Sequence, residues 1–176
     1  MPGFVFALAF ALAGCSGAPG APGGDGGGSG QGGEAGGPPQ PEVSVELGVP
    51  GGDDGLDFVP LAEGAELRLQ TFGQGGTHVL VAVRCTGCAS RAFVSATLLN
   101  LSTGVEVQEP PPVRPQLLYC DDGRCDLVPY LVHASGLTAS NEEKDGLGVR
   151  LTARVSSEAG KVTECSRDAV LSTADL

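Results

Sequence analysis

Cysteines are the residues of this chain best equipped for chemistry: Cys15 stands alone, and Cys85, Cys88, Cys120, Cys125 and Cys165 follow much later. Cys85-Thr86-Gly87-Cys88 is a tight pair, and Cys120-Asp121-Asp122-Gly123-Arg124-Cys125 is a looser one. Two such pairs have three chemical uses. As thiolates they can ligate zinc, although the second spacing is wide for a metal knuckle. As a redox couple, Cys85 and Cys88 would need a helix N-terminus to lower the first thiol's pKa, and strand-like sequence flanks them instead. As cystines they would staple an exported domain. Cystines are the expectation, with Cys120 and Cys125 facing each other at the base of a hairpin closed by a four-residue loop. Cys165 then reaches Cys85 or Cys88, or Cys85 and Cys88 close locally. Five cysteines leave one thiol over, and the sequence does not choose the arrangement.

Other chemistry is thin. His78 and His133 are the only histidines. Each sits at a strand end, where a pair could bind metal or serve as a base, but isolated surface histidines are the commoner case. No G-x-S-x-G elbow, H-E-x-x-H pair or phosphate loop occurs. Asp53-Asp54-Gly55-Leu56-Asp57 gathers oxygen ligands without EF-hand spacing and reads as a polar turn before a strand. Asp121, Asp122 and Asp126 read the same way. Sugar-hydrolysing carboxylate pairs normally work beside aromatic platforms, and the chain has no Trp and only Tyr119 and Tyr130. The expectation is therefore no catalytic set, no cofactor and no resident metal.

The flanking sequence points to a compartment. Phe4 to Ala13 is an unbroken apolar run, too short for the roughly 20 helical residues that span a bilayer but suited to the core of a signal peptide. Leu12-Ala13-Gly14-Cys15 closes it and resembles the lipobox of bacterial lipoproteins. That resemblance implies that Cys15 is alkylated with a diacylglyceryl group and becomes the first residue after cleavage. Two or more acyl chains anchor stably, each buried methylene contributing about 0.8 kcal/mol. Ser16 replaces the Asp that retains enteric-type lipoproteins at the inner membrane, which implies the outer membrane. No Lys or Arg precedes the apolar run, a departure from the usual basic start.

Residues 16–42 hold 12 Gly and 5 Pro and no large apolar side chain, so they cannot repay their ordering entropy. A disordered tether spanning about 30 Å is expected there, with Pro38-Pro39-Gln40-Pro41 stiffening its end. The predicted organisation is a signal peptide over 1–14, a lipidated cysteine and tether over 15–42, and a folded domain over 43–176. That domain carries 10 basic and 18 acidic residues, a balance that disfavours phosphate-backbone binding, so no nucleic-acid partner is expected.

Within the domain, short alternating apolar runs are separated by turn residues. Val43 to Leu47, Leu56 to Leu61, Ala65 to Gln70, His78 to Cys85, Arg91 to Leu101, Gly104 to Gln108, Gln116 to Cys120 and Cys125 to His133 read as strands. The clearest is Leu147 to Val155, with Leu147, Val149, Leu151, Ala153 and Val155 on one face and Arg150, Thr152 and Arg154 on the other. Lys161 to Cys165 and Ala169 to Ser172 read as two more. Pro110-Pro111-Pro112 breaks the ladder as a crossing loop, and Ser140 can cap one helical turn over Asn141 to Glu143. This pattern predicts an all-β, immunoglobulin- or fibronectin-like antiparallel β-sandwich. Asp57 to Leu61 and Gly73 to His78 are similar to segments of uncharacterised, glycine-tethered bacterial lipoproteins, a resemblance that brings no activity. The expected function is a non-catalytic protein, held to the membrane by its lipid, that displays the β-domain to an envelope partner for binding or adhesion. The alternative is an exported metal-binding or redox protein built on Cys85, Cys88, Cys120 and Cys125.

Overall fold

The computed structural model describes residues 43–71, 76–108, 114–156 and 161–173. The expectations for the signal peptide, for Cys15, for the tether and for the proline loop fall outside these residues. What is described is an all-β domain: β1 (Ser44–Gly51), β2 (Asp57–Pro60), β3 (Ala65–Thr71), β4 (Thr77–Thr86), β5 (Arg91–Asn100), β6 (Glu106–Gln108), β7 (Gln116–Leu117), β8 (Tyr119–Asp121), β9 (Arg124–His133), β10 (Gly148–Ser156) and β11 (Val162–Ser172). A single 3₁₀ turn, Glu142–Lys144, lies between β9 and β10.

One half of the sheet runs β2-β1-β4-β9-β8, antiparallel throughout. The other runs β11-β10-β5, again antiparallel, with β6 and β7 both pairing with β5. β3 joins them. Its first residues, Ala65 to Arg68, pair in parallel with β11, and its last, Leu69 to Thr71, pair antiparallel with β4. The sheet is therefore mixed and open rather than closed into a barrel, consistent with a β-sandwich. The expectation of a purely antiparallel sheet is corrected by the β3–β11 pair.

Alternation explains why these segments are strands. Val149, Leu151, Ala153 and Val155 of β10 are buried, while Arg150 and Arg154 face outward. Val79, Val81, Val83 and Cys85 of β4 are all fully buried, and so is Ala82 on the opposite face. One apolar core collects these side chains with Val45, Leu67, Leu69, Leu98, Val132 and Leu171 from both halves. It is almost wholly aliphatic, with Tyr130 its one large aromatic side chain among the described residues.

Two expected strands are one. Lys161 to Cys165 and Ala169 to Ser172 merge into β11, because the polar residues between them find partners on β10. Arg150 holds Asp168 in a two-bond fork at 2.7 and 2.9 Å, Thr152 meets Ser166 at 2.8 Å, and Arg154 meets Glu164 at 2.6 Å. Each pair sits directly across the β10–β11 ladder. The expected Gln116 to Cys120 strand instead breaks at the buried Leu118, which separates β7 from β8.

Gly48 marks a crowded crossing. It pairs with Ala82 on one side and Pro60 on the other. A Cβ there would lie 2.6 Å from the Phe58 ring, so only glycine fits without movement. That ring in turn carries the Arg84 guanidinium, 4.1 Å from its centroid.

Candidate functional site

β4 runs between the two regions of interest. At its C-terminal end lies the cysteine corner. Asp122 and Gly123, both at positive φ, form the tight two-residue turn that joins β8 to β9. The four-residue loop expected there is corrected: Asp121 and Arg124 pair with each other as strand residues. This register sets Cys120 directly opposite Cys125, with Cα atoms 4.0 Å apart, and the two form a disulfide. Cys125 is also paired across to Cys85 on β4, and Cys85 is bonded to Cys88 in the turn that follows. The Gly87 N–H donates to the Gly123 carbonyl at 3.1 Å, tying that turn to the hairpin.

All four cysteines thus converge on one corner, as two cystines rather than as four thiolates. Among the described residues no group of three or more His, Cys, Asp or Glu is arranged to hold a metal. Cys165, buried on β11, is disulfide-bonded as well, and no described cysteine is free. The leftover thiol expected from five cysteines is absent from the described residues.

The carboxylates near this corner are structural. Asp126 lies on β9, not in a turn, and receives a fork of hydrogen bonds from Arg84 at 2.8 and 2.7 Å. That contact holds the Arg84 guanidinium above its usual pKa, against a smaller opposing effect of burial. Asp54 accepts from the Leu56 N–H within the β1–β2 turn, as expected of a polar turn. Beside the cystines a cavity of about 370 Å³ is lined by Leu56, Tyr119, Cys120, Asp121, Asp126 and Val128. Tyr119 is 73% exposed and Leu56 57%, large apolar surfaces left to solvent at the edge of the domain. Tyr130 is buried, and its hydroxyl donates to the Val94 carbonyl at 3.3 Å.

At the other end of β4 the two histidines meet. His78 and His133 are cross-strand partners on β4 and β9, with ring centroids 4.3 Å apart and planes tilted by 51°. His78 is buried and His133 exposed.

Next to them is a cleft of about 440 Å³, between the start of β4 and the segment after β9. Its floor holds Lys144, only 3% exposed. The Lys144 Nζ donates to Thr77 Oγ1 at 3.0 Å and to Asn141 Oδ1 at 2.6 Å. Burial pushes this ammonium below its ordinary pKa, opposed in part by the charge of Glu142. The 3₁₀ turn that presents Lys144 is held by a reciprocal pair: the Glu143 N–H donates to Ser140 Oγ, and Glu143 Oε2 accepts from the Ala139 N–H. The N-cap of the turn is Asn141, whose side chain makes no cap bond, and Ser140, expected as the cap, supports the turn from one residue earlier. Lys144 was not among the sequence candidates. Its local context, Asn-Glu-Glu-Lys-Asp, is that of an exposed polar loop, and the one available signal was that it is one of only two lysines.

No protein-family model, no curated protein and no solved structure matches this chain.

Proposed function

We propose that the chain is a bacterial lipoprotein, anchored to the envelope through acyl chains on Cys15, whose β-domain binds a protein partner without catalysing a reaction. The observation that carries this reading is the order of features in the sequence: apolar run, Leu12-Ala13-Gly14-Cys15, glycine-rich tether, and then a disulfide-bearing β-domain. The outer membrane is the proposed location, from Ser16. An immunoglobulin- or fibronectin-like arrangement is the proposed finer fold, supported by strand number and by a strand, β3, that serves both halves of the sheet. The exposed Leu56 and Tyr119, set beside a rigid cystine corner, supply apolar surface that a protein partner would bury.

Metabolic labelling with a palmitate analogue tests the anchor. The wild type labels and sediments with membranes, and Cys15→Ser does neither. A Cys15→Ser protein that still labels overturns the reading. So does a cystine joining Cys15 to Cys165 in envelope-purified protein, because a disulfide-bonded sulfur cannot carry a thioether.

A second reading keeps the exported metal or redox protein. It is favoured by one observation, the cross-strand placement of Cys85 against Cys125, which gathers both cysteine pairs at one corner. Purified protein with bound zinc and four free thiols supports it; two cystines and no metal refute it.

A further inference from the structure

Lys144 is a buried cation held only by neutral oxygens. Its amine carries three N–H donors, and the structure uses two of them, on Thr77 and Asn141. No carboxylate lies within ion-pair distance of it among the described residues. A buried charge without an opposite charge is costly, so a site that retains one has a use for it.

The groups around the cleft share a second property. Ser135 Oγ accepts from the Thr77 N–H at 3.0 Å, and Ser140 Oγ accepts from the Glu143 N–H at 3.4 Å. The Ser135 hydroxyl thus has an acceptor site filled while its own proton stays available to donate, whereas the Ser140 hydroxyl serves the Glu142 carboxylate. Asn141 Oδ1 accepts from Lys144 and from Thr77 Oγ1, which leaves the carboxamide N–H groups uncommitted. Ser135, Ser140, Asn141 and Lys144 all line the same cleft. It therefore presents a surplus of donors around one positive charge.

We infer that this cleft binds a small carboxylate, with the oxyanion taking the third Lys144 N–H, the hydroxyl proton of Ser135 and a carboxamide N–H of Asn141. One cation matches one negative charge. A dianion such as phosphate is disfavoured by the domain's acidic balance and by Glu142 two residues from the lysine. The volume of about 440 Å³ accommodates a molecule of monosaccharide size. The site lies at the opposite end of β4 from the cystine corner and does not depend on the membrane anchor, so either can fail without the other.

The test is a titration of isotope-labelled full-length chain, followed by backbone amide shifts, with glucuronate, its neutral methyl glucoside counterpart and inorganic phosphate as probes. Glucuronate is expected to move Thr77, Ser135, Ser140 and Asn141 saturably, with a dissociation constant on the order of 1 mM. The glucoside and phosphate are expected to bind about tenfold more weakly or not at all. Lys144→Met abolishes the shifts, and Ser135→Ala, an exposed position on the cleft rim, weakens binding about fivefold. If Lys144→Met does not fold, Ser135→Ala carries the comparison. No saturable shift with glucuronate, equal binding of the glucoside or phosphate, or unchanged affinity in the folded variants overturns the inference.

Discussion

Replacing both Cys120 and Cys125 by alanine removes the cystine that closes the β8–β9 hairpin. The two residues are five apart in sequence, so the cross-link constrains only a short loop of the unfolded chain. Loop-closure entropy for a ring of that size contributes about 2 kcal/mol at 25 °C. Cys125 is 2% exposed, so truncating its sulfur adds a small packing loss of about 1 kcal/mol, whereas the exposed Cys120 adds none. The double variant should therefore lose about 2–3 kcal/mol. With a urea slope of about 2 kcal/mol/M for a domain of this size, the midpoint falls by about 1 M. The assay is urea unfolding under non-oxidising handling, followed by far-ultraviolet circular dichroism. Cys120→Ala alone should give most of the same loss, because it also breaks the bond and keeps the buried Cys125 side chain. A midpoint shift below about 0.2 M with an unchanged slope refutes the reasoning, since the cystine would then constrain nothing that the Asp122-Gly123 turn does not already fix.

Gly48→Ala forces its new methyl onto the Val59 carbonyl and the Phe58 ring, and should destabilise the domain by about 2 kcal/mol or more; a wild-type melting temperature would contradict it. The lowered pKa of Lys144 means that the folded protein releases this proton before the unfolded chain does. Stability should therefore rise, relative to Lys144→Met, as pH climbs from the depressed folded value towards the ordinary lysine pKa of about 10.4, and a pH-independent difference in urea midpoints over that window would refute this. Tyr119→Ala, in contrast, should change stability by less than about 0.5 kcal/mol, because a side chain 73% exposed contributes little to the core; a larger loss in urea unfolding would remove Tyr119 from the displayed surface.

How far the sequence exposes this fold depends on whether the deciding contact is local. β10 is legible residue by residue, because one buried face and one solvated face impose a period of two. The middle of β11 is not, since Ser166, Arg167 and Asp168 look like a turn until the opposing Arg150 and Thr152 are in place. The parallel β3–β11 pair has no local signature at all, because its partners come from opposite ends of the domain. At the cysteine corner the hairpin could be read from Asp122-Gly123, but its loop was overcounted, since Asp121 and Arg124 carry turn-like side chains while pairing as strand. Lys144 was hidden for the same reason as β11: Thr77, which shares its burial, belongs to a distant strand.

The position of β11 has a consequence for how the chain is made. The last strand of the domain is not an edge but an interior member, flanked by β10 on one side and β3 on the other. Until it is in place, Leu67 and the first half of β3 have no partner on that side, and the core stays open to water. The β8–β9 hairpin, by contrast, can zip as soon as it appears. Closing the core thus waits on β11, whose contact with β3 is among the most distant in the domain's sequence. Truncation before Val162 should leave a product that proteases clear rather than a smaller folded domain.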